Sequence, residues 1–198
     1  MIFFSSDFHF AHTNICIGTS SWKSKTDLCR NFENPYLMGE KIIENLNSVI
    51  SPEDELYCLG DFAFGGVANY FSYRPRINCK NIHLILGNHD SQHGKVFDPE
   101  HNGVKTSSLF TSYMTYKEMF YNKTRICLFH YPISSWNEMS GGSILLHGHC
   151  HRSPQQKFDN GGRSMDVGLD GNNLMPYSID EIFELLKDKN PTKEGHHA

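Results

Sequence analysis

The stretch NIHLILGNHD, residues 81–90, predicts a buried strand that ends abruptly in three polar side chains. Its apolar run suits a strand that is covered on both faces of a sheet. Asn88, His89 and Asp90 follow at once, and an amide, an imidazole and a carboxylate are groups that bind metals or move protons. Functional groups of open α/β sheets gather beyond the carboxyl ends of the strands. We therefore expect a functional site at the end of this strand.

Four further apolar runs end in residues of the same kind. They are IFFSS (2–6) before Asp7 and His9, ELYCLG (55–60) before Asp61, TRICLFH (124–130) ending at His130, and SILLHGH (143–149) leading to His149 and His151. Five strand ends that meet at one edge would build a single site.

The segments between these runs predict an α/β layered fold. Apolar residues recur at helical spacing over 37–50, and 67–75 predicts a second helix that Pro75 ends. Residues 107–130 alternate as β-structure with a turn at 122–123, and 160–162 predicts a hairpin turn. A capping box at Ser178 predicts a C-terminal helix. We expect one domain over 1–190 and a polar tail over 191–198.

Composition narrows the class of protein. With 38% apolar and 20% charged residues, and no apolar run of about eighteen residues, the chain is expected to be globular and not to enter a membrane. The N-terminus lacks the pattern of a secretory signal, and the six cysteines form no CxxC pair. Reduced thiols and a cytoplasmic location are therefore expected. A net charge of −4 without a basic block disfavours a long nucleic acid as substrate.

The residues at the strand ends match the ligands of transition metals. They comprise two carboxylates, one amide and four imidazoles, namely Asp7, His9, Asp61, Asn88, His130, His149 and His151. Because one tetrahedral ion needs about four ligands, this set fits two ions, with Asp61 as a bridge that offers one oxygen to each. The i, i+2 spacing within the pairs 7/9 and 149/151 puts both side chains of a pair on one side of an extended chain.

The ordered set DxH, GD, GNHD, H and GHxH, over residues 7–151, resembles the calcineurin-like metallophosphoesterases. The resemblance implies a four-layer α-β-β-α sandwich, with two mixed sheets flanked by helices, and two-metal hydrolysis of phosphomonoesters or phosphodiesters. It also implies two ligand sets that share Asp61. The first ion would be held by Asp7, His9, Asp61 and His151, and the second by Asp61, Asn88, His130 and His149.

Catalysis in this arrangement needs a nucleophile and a proton donor. A hydroxide that bridges the two ions would attack phosphorus, since divalent ions lower the pKa of bound water toward about 7. The leaving oxygen then needs a proton, and we expect His89 to be the general acid, as the resemblance also implies. For Asp90 two roles remain open: it orients His89, or it caps the loop.

The sequence departs from one branch of this superfamily. Protein serine/threonine phosphatases carry GDxxDRG, whereas this chain has GDFAFGG at 60–66, without the second acid or the arginine. A protein phosphatase is therefore not expected. The stretches SSDFHFAHTNI, GDFAFG, HYPISSWN and DVGLDGNN resemble small, cap-less bacterial and phage phosphoesterases instead.

The substrate is less well defined than the metal ligands. Arg30 is a candidate phosphate clamp, His12 a candidate contact with the substrate or with a ligand, and Trp136 a candidate platform for stacking a base. The expected substrate is a nucleotide or another small phosphoester, and manganese is the first choice of metal, with iron, zinc or nickel as alternatives. A nuclease acting on DNA or RNA, and an inactive scaffold like the retromer subunit of this fold, are the competing hypotheses. Either a monomer or a homodimer would fit.

Overall fold

The computed structural model describes residues 1–16, 30–90, 98–154, 157–158 and 162–191. Its helices and strands are numbered here in chain order. The helices are α1 (Thr13–Cys16), α2 (Pro35–Val49), α3 (Val67–Tyr73) and α4 (Ile179–Leu186). The strands are β1 (Ile2–Ser5), β2 (Glu55–Cys58), β3 (Asn81–Ile85), β4 (Glu100–His101), β5 (Val104–Lys105), β6 (Ser112–Met114), β7 (Tyr116–Tyr121), β8 (Thr124–Phe129), β9 (Ile144–His147), β10 (Ser164–Asp166) and β11 (Tyr177–Ser178).

The first sheet carries the early strand ends to one edge. Its order is β11-β1-β2-β3-β6, in which β1, β2, β3 and β6 run parallel and β11 pairs antiparallel to β1. Helix α2 makes the crossover from β1 to β2, and its first turn is capped by Asn34, whose side chain accepts the Leu37 N–H at 2.9 Å. Parallel pairing brings the carboxyl ends of β1, β2 and β3 together, as predicted.

The second sheet has the order β10-β9-β8-β7. Strands β7 and β8 form the predicted hairpin, and both residues of its turn have positive φ, 46° at Asn122 and 65° at Lys123. These angles match the two-residue turn whose twist suits antiparallel strands. Strands β8, β9 and β10 run parallel, so their carboxyl ends also share one edge.

Two apolar clusters hold these layers together. Because side chains alternate along a strand, Phe3 packs with the residues of α2, while Phe4 packs into the cluster shared by both sheets. Helix α4 adds Ile182 and Leu186 to this second cluster. The predicted capping box begins that helix, since Ser178 Oγ accepts the Glu181 N–H at 3.2 Å and the Glu181 carboxylate accepts the Ser178 N–H at 2.7 Å.

The mixed α/β fold, with sheets flanked by helices, is confirmed. The loop before β9, which contains a 3₁₀ turn at Met139–Gly141, contacts the second sheet, since the Asn137 carbonyl lies 3.9 Å from the Cys127 sulfur.

Other predictions meet the structure only in part. The five described cysteines form no disulfide, as expected. Asn160 and Gly161 of the predicted hairpin, Cys29, and most of the tail lie outside the described residues. None of the described helices combines the length and the apolar character needed to cross a bilayer.

Candidate metal centre

Backbone pairing beyond the strands brings the ligand-bearing loops together. The Asp7 N–H donates to the Gly60 carbonyl and the His9 N–H to the Asp61 carbonyl, both at 2.9 Å. In the second sheet, the Gly148 N–H donates to the His130 carbonyl at 3.0 Å. The loops therefore continue the order of the strands, and their side chains meet at the shared edge.

The first ligand group consists of Asp7, His9, Asp61 and His151. His151 Nε2 lies 3.6 Å from Asp7 Oδ1, and His9 Nε2 lies 3.8 Å from the same oxygen. His9 Nε2 is also 3.5 Å from Asp61 Oδ2. All four side chains are buried. The group predicted for a first ion is thus brought together.

The second ligand group consists of Asp61, Asn88, His130 and His149. Asn88 Oδ1 lies 3.0 Å from His130 Nε2 and 3.0 Å from His149 Nδ1. His130 Nε2 is 3.6 Å from Asp61 Oδ2. The Tyr131 ring packs edge-on to both imidazoles, with centroid distances of 4.9 Å to His130 and 4.8 Å to His149. Sequence reasoning had given Tyr131 no role.

Asp61 connects the two groups through a single oxygen. Its Oδ2 atom is the one that faces His9 and His130, whereas Oδ1 accepts the His89 backbone N–H at 2.9 Å. Both groups therefore approach the same oxygen, and the expectation that Asp61 offers one oxygen to each ion stays a prediction. Gly87 makes this arrangement possible, because a Cβ atom there would overlap the Asp61 carboxylate and lie 2.7 Å from the Asp61 backbone nitrogen.

The donor atoms of these groups fit a metal. Within the described chain, Asp7 Oδ1 and His9 Nε2 are buried without any hydrogen-bond partner. His130 Nδ1 lies 2.7 Å from the Leu59 carbonyl, which can only accept, so in the neutral ring Nε2 carries a lone pair. That lone pair faces the Asn88 oxygen. Buried lone pairs that converge without donors are costly unless a cation lies among them.

The backbone at the ligands is held in a sparsely populated conformation. Positive φ angles occur at five of the seven predicted ligands: 59° at Asp7, 49° at His9, 55° at Asp61, 69° at His149 and 47° at His151. Non-glycine residues with such angles are uncommon and strained. The side chains of each i, i+2 pair are therefore directed by left-handed turns, and the predicted extended chain is wrong.

Burial and neighbouring charges set the protonation of the first group. Burial lowers the pKa of His9 to about 3, so its ring is neutral and able to bind a metal. Burial raises the pKa of Asp61, and the carboxylates of Asp7 and Asp90 raise it further. Burial also acts to raise the pKa of Asp7, but the nearby imidazoles, His151 first, outweigh it and lower that pKa.

His89 and His12 lie beside the first group. His89 Nε2 is 3.9 Å from Asp61 Oδ2, its side chain is 29% exposed, and burial lowers its pKa. A protonated His89 would therefore be a stronger acid than a free imidazole. His12 Nδ1 lies 3.2 Å from His9 Nδ1, and its ring stacks on Phe64 at 4.0 Å. This geometry makes His12 an orienting partner of a predicted ligand.

Asp90 caps the loop, which resolves the alternative left open by the sequence. Its carboxylate accepts the backbone N–H groups of Asp61 at 2.6 Å, Phe62 at 3.0 Å and Gly87 at 2.9 Å. It also accepts the Tyr70 hydroxyl. With four donors on two oxygens, Asp90 is committed to the backbone of the strand ends. Of the two roles left open for Asp90, these contacts support capping of the loop, so Asp90 is a structural residue and not a catalytic one.

Arg30 is buried, and its expected contact with substrate is wrong. Its guanidinium is fully enclosed, donates through Nε to Asp170 Oδ1 at 2.7 Å, and also donates to the carbonyl oxygens of Asp7 and Phe8. Asp170 in turn binds His151. An exposed phosphate cannot reach a group enclosed in this way. The only sequence signal for the pairing was the position of Asp170 in DVGLDGNN, which carried no assigned role.

One further expectation concerns Trp136. The Trp136 N–H donates to the Ser143 carbonyl at 3.4 Å. Among the described residues, its ring has no contact with the ligand groups. Stacking of a base on Trp136 therefore stays a prediction. Cys150 turns away from the ligand histidines beside it. Its sulfur lies with His147 and Asp166 in a third set of donor atoms, all within 4.8 Å of one another.

Comparison with known proteins identifies the family of this chain. The model of the family described as calcineurin-like phosphoesterase matches residues 2–197. The chain belongs to this family. A curated relative, the gene 66 protein of Mycobacterium phage D29, is 25% identical over 213 residues, which cover 94% of this chain and 96% of the relative.

Solved structures resemble this chain to different extents. The protein of unknown function AQ665 from Aquifex aeolicus matches with a TM-score of 0.64 and 24% identity over 93% of this chain and 98% of that one. The E. coli phosphoesterase YfcE matches with a TM-score of 0.44 and 15% identity over 84% and 77%. The first of these similarities supports the fold alone.

Proposed function

We propose that this protein is a dinuclear metal-dependent phosphohydrolase that acts on a small phosphoester. One observation carries the proposal: a single oxygen, Asp61 Oδ2, lies within 3.6 Å of imidazole nitrogens from both ligand groups, His9 on one side and His130 on the other. A carboxylate shared in this way is suited to hold two ions side by side.

The residues of the centre would have two roles, metal binding and proton transfer. The first ligand group would hold one ion and the second group the other, with Asp61 common to both. When bound, such ions supply Lewis-acid stabilisation of phosphoryl oxygens and make water nucleophilic near neutral pH. His89, beside Asp61 and partly exposed, would give a proton to the leaving oxygen. Asp90 holds the backbone of the GD loop in place.

The ligand chemistry favours manganese, with iron, zinc or nickel as alternatives. Mixed imidazole, carboxylate and amide-oxygen sites accept several divalent metals, and supply decides among them. The net charge of −4 argues for a nucleotide or another small ester over a long polyanion.

The test is reconstitution followed by assay. The ion-free protein is loaded with Mn²⁺, Fe²⁺, Zn²⁺ or Ni²⁺, its metal content is measured, and hydrolysis of p-nitrophenyl phosphate and bis(p-nitrophenyl) phosphate is followed. We expect about two ions per chain and hydrolysis of at least one ester, and both should fall in Asp61→Asn. Tight binding without hydrolysis of either ester would favour the inactive scaffold. Cleavage of oligonucleotides alone, steeply weakened by salt, would favour the nuclease.

A further inference from the structure

A cavity opens beside His89. Its volume is about 150 Å³, and it is open to solvent. This is below the range of about 300–1,000 Å³ typical of sites that enclose a whole small molecule, so the cavity can hold only one part of a substrate. Its walls come from the loop after β2, the start of α3 and the strands near β6. Its lining includes Phe64, Val67, Tyr70, Pro99, Thr106 and Tyr113.

Most polar groups of these walls are already engaged within the protein. Thr106 Oγ1 donates to the Pro99 carbonyl at 2.7 Å, and the Tyr70 hydroxyl donates to Asp90. Asp90 has all four of its donors from the protein. Among the described lining residues there is no lysine or arginine. The cavity therefore offers a ligand mainly aromatic and aliphatic surface.

Phe64 connects this surface to the proposed proton donor. Its ring is 37% exposed, lies edge-on to His89 with centroids 5.2 Å apart, and is fixed from behind by stacking on His12 at 4.0 Å. A planar ring bound against Phe64 would hold the leaving group that carries it beside His89. Aromatic pairs prefer such stacked or edge-on geometries and gain energy beyond simple burial.

We propose that this cavity binds the leaving group of the substrate and selects a planar, uncharged aromatic ring, of the class of a nucleobase or an aryl group. The inference rests on the proposed function, because it assigns the cavity to the side of the site where His89 would protonate the leaving oxygen. A leaving group carrying further phosphates would find no cation among the described walls to balance its charge.

The test compares esters that differ only in the ring. Adenosine 5′-monophosphate is paired with ribose 5-phosphate, and 2-phenylethyl phosphate with 2-cyclohexylethyl phosphate. Each compound is assayed as the phosphomonoester and as the phosphodiester formed with methanol. Both members of a pair release a primary alkoxide, so leaving-group chemistry is matched. We expect kcat/KM to favour the planar ring by about tenfold. Preference in both pairs indicates any aromatic ring, and preference in the first pair alone indicates a nucleobase.

Two variants locate the preference in the cavity. Phe64→Ala removes the stacking surface, and Val67→Phe fills the space without altering a residue that contacts the histidines. Each should reduce the ring preference to less than about threefold, through a fall in kcat/KM for the ester that carries the planar ring. Phe120→Ala, at a ring 61% exposed on the far hairpin, is the matched control and should keep the full preference.

The outcomes separate the two proposals. Equal rates within both pairs, in a protein that hydrolyses p-nitrophenyl esters, overturn the ring selectivity and leave the phosphohydrolase standing. No hydrolysis of any ester overturns the proposed function and with it the leaving-group role. Saturation-transfer NMR of adenosine against ribose, in wild type and Val67→Phe, then tests ring binding by itself. A signal from adenosine that the variant loses supports the cavity as a ring site, and its absence in wild type rejects it.

Discussion

His151 Nδ1 lies 2.7 Å from Asp170 Oδ2, at the end of a buried chain of contacts that starts at Arg30. The contact leaves His151 Nε2 directed at Asp7. Burial acts to lower the pKa of His151, but the carboxylates of Asp7 and Asp170 outweigh it and raise that pKa. A carboxylate behind a ligand histidine fixes both its orientation and its tautomer.

Asp170→Asn should therefore weaken metal binding by the first ligand group. The amide keeps the shape of the side chain but loses the charge that orients His151, and losses of about 10- to 100-fold in metal affinity are typical of such changes. Competitive titration of Mn²⁺ against a chelator measures the effect. Asp188→Asn, at an exposed acid, is the matched control. Unchanged affinity in Asp170→Asn would show that Asp170 serves folding only.

Tyr70→Phe should lower stability and activity together. The variant removes one of the four donors to Asp90, and the loss of a buried hydrogen bond to a charged group costs about 1–3 kcal/mol. For a domain of this size that corresponds to a fall in Tm of about 2–4 °C per kcal/mol. Calorimetry and kcat are measured beside Tyr36→Phe, whose ring is 59% exposed. A Tm equal to that of this control contradicts the assigned role of Asp90.

His89→Ala should reduce turnover most on esters with poor leaving groups. An alkoxide needs a proton from the general acid, whereas p-nitrophenolate leaves without one, so the loss should be about 10²- to 10⁴-fold on alkyl esters and much smaller on p-nitrophenyl esters. Metal content should match wild type. If the variant also loses metal, His89 is a ligand, since its Nε2 lies 3.9 Å from Asp61 Oδ2.

Metal binding should release protons, and affinity should increase with pH. Burial and the neighbouring carboxylates raise the pKa of Asp61. In the ion-free fold the Asp61 carboxyl group therefore keeps its proton above about pH 3.9, where an exposed aspartate has lost it. Ion binding needs the carboxylate and displaces the proton. The folded state holds this proton at pH values where the unfolded state has lost it. Asp61 therefore lowers the free energy of unfolding of the ion-free protein as pH rises from about 3.9 through the folded pKa of Asp61.

Titration calorimetry with Mn²⁺, in buffers of different ionisation enthalpy at one pH, counts the released protons. Asp61→Asn should release fewer than wild type. Binding heats that are the same in every buffer would show that no proton is exchanged and would contradict the raised pKa.

The sequence predicted strands β1, β2, β3, β8 and β9 and helices α2, α3 and α4 because each had a local signal, whereas α1, β4, β5 and β11 were not predicted. Apolar runs marked the strands, the capping box marked α4, and the short motifs placed Asp61 and Asn88 at strand ends. The parallel order of β1, β2 and β3 then followed from the helix between the first two strands.

The contacts behind the ligands could not be predicted in the same way. Arg30 and Asp170 are 140 residues apart, and nothing local distinguishes a buried arginine from an exposed one. Asp90 binds the backbone of residues 61 and 62, which only the folded sheet brings near. The left-handed backbone at His9 and His151 also had no signal, because glycine or asparagine is the residue expected there.

The left-handed backbone at five of the predicted ligands lowers the stability of the fold, whereas the side chains at these positions are the ones that the proposed activity needs. Each non-glycine residue in this conformation costs the fold about 1–3 kcal/mol, which glycine would not. A screen for heat-resistant variants that omits metal would therefore favour glycine at Asp7, His9 or His149, and would discard the ligands one by one. Engineering of this protein for durability should be carried out with its metal present and with turnover as the criterion.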